Sequence, residues 1–195
     1  MYLVVDLDRS LIKIDFFKEA LGKTLLRNPL LFIQTAILIL KSRSKAKHFI
    51  SQKVEINCTN IPFNDDVLKI ISDYKSKGYK IVLATGAVQS HANQIADQLQ
   101  LFDKVLATDD DINNTGTNKL NLIKQEIKGS FTYVADSKKD LPIWFYCKKA
   151  ILVGNNRFIK KKLESNGVDV IDVIKRENSL FKLLLRQLRV HQWSK

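Results

Sequence analysis

Five short apolar runs, each ending in polar residues and separated from the next by helix-forming sequence, restrict this chain more than any other feature. They are 1–5 (MYLVV), 80–84 (KIVLA), 105–107 (VLA), 131–135 (FTYVA) and 150–153 (AILV). Strands that are apolar without alternation are buried on both faces. Strands that alternate with helices build a parallel sheet covered on both sides. The helices are legible too: Val67, Leu68, Ile70, Ile71 and Tyr74 recur at helical spacing before Gly78, and 91–102 and 119–127 read the same way. The expected fold is α/β, a Rossmann-like doubly wound parallel sheet.

One interruption stands out. Residues 12–60 follow the first run, read as helical throughout and contain no strand pattern. The expected organisation is a core of residues 1–11 and 61–178, a helical cap inserted at 12–60, and a basic amphipathic tail at 179–195. Within the cap, PLLFIQTAILIL (29–40) is apolar nearly all the way round. Its twelve residues fall short of the ~20 needed to cross a bilayer. A helix without a polar face must be covered by something. Burial against cap partners is the expected cover, with lipid or an apolar substrate as the others.

The chain of 195 residues suits one domain with an insertion. Its formal net charge of +12 favours anionic partners: phosphorylated metabolites, nucleic acid or an acidic membrane surface. No RNA-binding motif or zinc-finger spacing points to nucleic acid. Cys58 and Cys147 stand alone, with no metal-ligand spacing, as in a reducing cytoplasm. Asp109, Asp110 and Asp111 do not make an EF-hand, because Asn114 and Leu120 stand where that loop requires Gly and Glu. His48, His91 and His191 read as surface or packing residues, Trp144 as core, and Lys160 to Lys162 as a solvated helix face.

Chemistry gathers at the run ends. VVDLDRSLI (4–12) places Asp6 and Asp8 two residues apart, on one face of extended chain and roughly 7 Å apart at Cα. The second run ends at Thr85, the fourth at Asp136 with Asp140 beyond it, and GTNK (116–119) supplies Lys119. In a parallel sheet these ends share one edge, where open α/β folds bind ligands. Carboxylates that crowd together must take up a proton or share a cation. Oxygen donors with few nitrogen or sulfur partners select a hard ion such as Mg²⁺.

This order of motifs resembles the haloacid dehalogenase (HAD) superfamily, and the resemblance runs from residue 2 to about residue 174. It implies an Mg²⁺-dependent phosphohydrolase. Asp6 would be the nucleophile, Asp8 the general acid and base, Thr85 the hydroxyl on the transferring phosphoryl, and Lys119 the balancing cation. Asp6, the Asp8 backbone carbonyl, Asp136 and Asp140 would serve the metal. Where that family usually has Gly-Thr after the second Asp, this chain has Arg9-Ser10, and Ala135 stands where Gly often precedes the metal-binding Asp.

A narrower resemblance rests on DLDRSLIKIDFF, RNPLLF, VLATGA, LFDKVLATD and DLPIW. These stretches resemble the HAD domain found ahead of UbiA-type membrane prenyltransferases, and LLRQLRVHQWSK (184–195) resembles the lead into that membrane domain. It implies a lipid-linked sugar phosphate as substrate, with a phosphorylated small molecule as the simpler choice. It also implies a place at the cytosolic face of an anionic membrane, beside such a prenyltransferase. The non-enzymatic alternative is a catalytically silent regulatory or docking module.

Overall fold

The computed structural model describes residues 1–54, 56, 58–108 and 113–174. The tail at 179–195, with His191, and the acids at 109–111 lie outside the described residues. In chain order the elements are β1 (Tyr2–Val5), α1 (Phe16–Arg27), α2 (Pro29–Lys41), α3 (Arg43–Lys53), α4 (Asp65–Ser76), β2 (Lys80–Val88) and α5 (Gln89–Leu99). They continue with β3 (Lys104–Thr108), α6 (Thr117–Glu126), β4 (Phe131–Ala135), α7 (Leu141–Trp144), β5 (Lys149–Val153), α8 (Arg157–Glu164) and β6 (Asp169–Ile174). All strand pairs are parallel, in the order β3-β2-β1-β4-β5-β6.

β1 sits at the centre because it is apolar on both faces. Leu3 and Val5 enter one hydrophobic cluster with Ile81, Leu83, Ile71 and Ile95, while Val4 enters the other with Val82, Tyr133 and Trp144. Helices cover each face, so the doubly wound expectation holds. β6 was not among the five apolar runs. Its sequence, DVIDVI, lies at the sheet edge with only Ile174 buried, so it lacks the continuous apolar signature of a buried strand.

The cap emerges directly after β1 as a three-helix unit. Its entry and exit are tied together: Lys13 N–H donates to the Pro62 carbonyl at 2.8 Å and Asn64 N–H to the Leu11 carbonyl at 2.8 Å. Short polar residues set its corners. The Asp15 carboxylate accepts from Lys18 N–H at the start of α1. The Asn28 side chain accepts from Leu31 N–H, with Pro29 at the first position of α2, where its missing N–H is not needed. Ser42 caps α3 in the same way.

Burial of α2 inside the cap is overturned. Only Thr35 of this helix is buried, while Leu30, Ile33, Ile37 and Leu40 are 65%, 54%, 51% and 88% exposed. Among the described residues no fourth element lies over it, so α2 packs one side on α1 and α3 and presents the other outward. No described helix is long and apolar enough to cross a membrane.

Candidate active site

Strand register brings the site together. Val5 pairs with Leu83 on one side and Val134 on the other, so Asp6 leaves the sheet level with Ala84 and Ala135. Asp6 N–H donates to the Val134 carbonyl at 2.9 Å, fixing the backbone where the strand ends. The carboxylate is 6% exposed. Its Oδ1 accepts from Lys119 Nζ at 2.7 Å and its Oδ2 from Ser10 Oγ at 3.1 Å.

Lys119 projects from the first turn of α6 and is itself buried. Besides Asp6, its ammonium donates to Asp140 Oδ1 at 3.0 Å and to the Tyr133 hydroxyl at 3.1 Å. Tyr133 in turn donates to Asp140 Oδ1 at 2.9 Å. Burial alone would lower the Lys119 pKa, but Asp140 and then Asp6 outweigh it and the ammonium is held more firmly protonated than usual. Burial dominates for Asp6, pushing it up to about 7 against the pull of Lys119, with Asp140 and Asp136 adding to the rise.

Asp136 follows β4 and lies beside Arg9, whose Nε is 3.5 Å from Asp136 Oδ2. One carboxylate oxygen from each of Asp6, Asp136 and Asp140 falls within 4.8 Å of the others. Three acids with Lys119 and Arg9 leave an excess of negative charge, which is part of why Asp6 resists ionisation. An all-oxygen set carrying that excess fits a hard divalent ion. Asp8 lies outside this carboxylate group. Its Oδ1 accepts from Phe16 N–H at 3.0 Å in front of α1, and burial, then Asp15, raises it to about 6.

Thr85 lies further into the fold than a strand end would place it. β2 continues to Val88, and its register against β3 shifts between Ala84 and Val88. In that bulge, Thr85 Oγ1 accepts from Ala87 N–H at 3.0 Å. Asn114 supports the bulge, its Nδ2 donating to the Thr85 and Leu106 carbonyls at 3.1 and 3.2 Å. Gly86 is required here: a Cβ would come within 2.6 Å of Thr115 Cγ2.

The cap closes over this edge. A narrow cleft lies between α1 and α3 on one side and Gly86 to Val88 on the other, with Asp8 in its lining. Its apolar wall includes Phe16, Phe17 and Ile50, and none of the described residues of α2 lines it. Lys47 of α3 spans the gap, donating to the Gly86 carbonyl and, at 2.7 Å, to Asn113 Oδ1. Burial pushes Lys47 down to about 8, with Asp8 pulling the other way. His91 stacks on Phe16 with ring centroids 4.7 Å apart, so it packs core to cap.

Four contributors were absent from the motif reading. Ser10 was visible only as half of a departure, yet its hydroxyl occupies the place of the usual Thr. Tyr133 had a weak signal, two residues before Ala135 on the same strand face. Lys47 and Asn114 had none, since only the folded chain brings them to Gly86 and Thr85.

No family model matches the chain. The uncharacterised protein y4nM of Sinorhizobium fredii is 31% identical over 193 residues, or 99% of this chain. The chain spans 37% of that relative's length. Among solved structures, a HAD family hydrolase from Salmonella enterica serovar Typhi aligns with a TM-score of 0.60 at 14% identity, covering 89% of this chain and 66% of that one. A phosphoserine phosphatase in apo form aligns with a TM-score of 0.60 at 13% identity, covering 100% of this chain and 98% of that one. At such identities the likeness speaks for the fold. The chain therefore has a HAD-type α/β fold, and it carries at its strand ends an acidic cluster compatible with Mg²⁺.

Proposed function

We propose that this chain hydrolyses phosphate monoesters through a phosphoaspartate on Asp6. The carrying observation is the pairing of two differently tuned carboxylates: Asp6 bonded to Lys119 and Ser10, and Asp8 raised to about 6 beside the cleft. A group poised near working pH can both give and take a proton.

Asp6 attacks phosphorus through a carboxylate oxygen while the ester P–O bond breaks. Asp8 gives its proton to the leaving oxygen. Asp8 then takes a proton from water, which attacks the acyl phosphate and releases inorganic phosphate and Asp6. Lys119 offsets negative charge on Asp6 and the phosphoryl group, and the Thr85 hydroxyl holds a phosphoryl oxygen. Asp6, Asp136, Asp140 and the Asp8 carbonyl would hold Mg²⁺, which supplies the charge neutralisation that keeps Asp6 ionised.

The finer reading is a lipid-linked sugar phosphate, handled beside a UbiA-type membrane prenyltransferase at the cytosolic membrane face. It rests on the sequence resemblance and on the apolar cleft wall. A silent docking module is the second reading, favoured by one observation: the Arg9 side chain stands at Asp136, where a cation ligand is wanted.

The test is phosphate release from a phosphoester panel with Mg²⁺, including ribose 5-phosphate and a short-chain prenyl-phosphoryl ribose 5-phosphate. Turnover should stop with EDTA and in Asp6→Asn, whose thermal midpoint in metal-free buffer should be unchanged or higher because an excess buried charge is lost. A folded wild-type protein that turns over nothing favours the docking module. Equal kcat/KM for the two ribose phosphates removes the lipid-linked substrate and leaves a general small-molecule phosphatase.

A further inference from the structure

The outward face of α2 has no assigned role in the site just described. Leu30, Ile33, Ile37 and Leu40 recur every three or four residues along it, and all are more than half exposed. Leu25 and Leu26, at the end of α1 just before the corner, are 54% and 85% exposed and extend the apolar surface. Scattered exposed aliphatic residues are ordinary, but a contiguous row on one helix marks an interaction surface.

The charge around this row is one-sided. Between residues 22 and 53 there are seven lysines and arginines and no aspartate or glutamate. Arg27 ends α1 just ahead of α2, Lys41 ends α2, and Arg43 and Lys45 follow at the start of α3; all four are exposed. An apolar ridge rimmed by cations fits a surface with a hydrocarbon interior and anionic head groups.

We propose that the cap docks through the outward face of α2 on an anionic lipid surface. Leu30, Ile33, Ile37 and Leu40 enter the acyl boundary, and the flanking cations meet the lipid phosphates. Charge argues against covers drawn from the chain itself. The stretch 179–195 carries Lys182, Arg186, Arg189 and Lys195 and no acid, and a second copy would bring the same basic cap. An acidic protein partner meets the charge but not the shape. The ridge is convex and aliphatic, without the aromatic anchors that concentrate binding energy at protein interfaces.

The proposal is tested by flotation of the full chain with vesicles of phosphatidylcholine alone or mixed with phosphatidylglycerol. The wild type should float with the anionic vesicles, less so as salt rises, and not with phosphatidylcholine alone. Ile33→Gln with Ile37→Gln should weaken anionic binding roughly tenfold or more while circular dichroism and melting stay unchanged. Leu40→Gln, at a still more exposed position, serves as a second variant should the pair disturb folding. Absence of flotation with anionic vesicles overturns the proposal. Flotation undiminished in the α2 variants also overturns it and places binding elsewhere on the chain. So does a wild-type dimer, seen by light scattering, that these variants dissociate. None of these readouts requires turnover, so docking and the phosphatase reading fail separately.

Discussion

Arg9 carries the clearest departure at the scale of single residues. Its φ is 61°, in the left-handed region that glycine enters without strain and most other residues enter at a cost of about 1 kcal/mol or more. The turn is held by Arg9 N–H donating to the Ile14 carbonyl at 2.9 Å, and the side chain stands against Asp136. Arg9→Gly should keep the turn, relieve its strain and remove a positive charge from one expected metal ligand. Its Mg²⁺ affinity, read by thermal shift against a Mg²⁺ titration, should rise a few-fold, in line with a partly exposed ion pair. An unchanged or weaker affinity would show that Arg9 does not compete for Asp136. Lys119 predicts the opposite sign. Lys119→Met removes the ammonium shared by Asp6 and Asp140 and should destabilise the fold by about 3–5 kcal/mol at pH 8, measured by denaturant unfolding without metal. Asp6 already has a folded pKa above its unfolded value of 3.8, and loss of the cation raises it further. The folded state then binds the extra proton more tightly than the unfolded state, so stability falls as pH rises through that window. The penalty should shrink as pH is lowered toward 5; a constant penalty would locate the loss in packing.

Among the elements, the bulge of β2 and the cap helix α3 meet at the Lys47 ammonium. Lys47→Met deletes its bonds to Gly86 and Asn113, although the Gly86 carbonyl still accepts from Thr108 Oγ1 at 2.9 Å. The stability loss should therefore be modest, about 1 kcal/mol. The larger effect should fall on KM, because the cation faces the cleft with Asp8. In wild type, KM should rise above pH 8 as this ammonium loses its proton; in Lys47→Met that rise should vanish. A KM unchanged by the substitution would reduce Lys47 to a strut between cap and core. The same elements explain what could be read in advance. β1, β2 and β4 were legible because burial on both faces leaves a continuous apolar run, and their ends exposed Asp6, Thr85 and Asp136 as candidates. β6 was not, since an edge strand with a single buried residue needs no such run. The outward face of α2 was misread for a related reason: apolar sequence reports a preference for leaving water, not the element that will cover it. Lys47 and Asn114 were invisible because their partners, Gly86 and Thr85, are distant in sequence: Lys47 reaches Gly86 only across the closed cleft, and Asn114 reaches Thr85 only once β2 and β3 are paired.

For the molecule as a whole, burial is graded from the sheet centre to the cap's rim, and local stability should follow it. Leu3, Val4 and Val5 of β1 are fully buried, and β1 is bonded to a strand on each side. Exchange of its amides requires separating both hydrophobic clusters, which is global unfolding. α2 buries only Thr35 and leaves four large aliphatic side chains more than half exposed, so opening it forfeits little apolar burial. α1 and α3 lie between these limits, since Phe16, Ala20 and Ile50 join the cluster that also contains Leu3 and Val5. Hydrogen exchange by mass spectrometry should therefore find β1 and β4 slowest, α1 and α3 intermediate, and α2 fastest among the cap helices. Anionic vesicles should change that order at one place. Protection of peptides covering Pro29–Lys41 should increase, with β1 unaffected, because docking adds burial where the free chain has least. If α2 is already as protected as β1 without lipid, its exposed row is covered in solution by something other than water. If vesicles slow exchange throughout the sheet but leave α2 fast, the lipid contact does not lie on the cap.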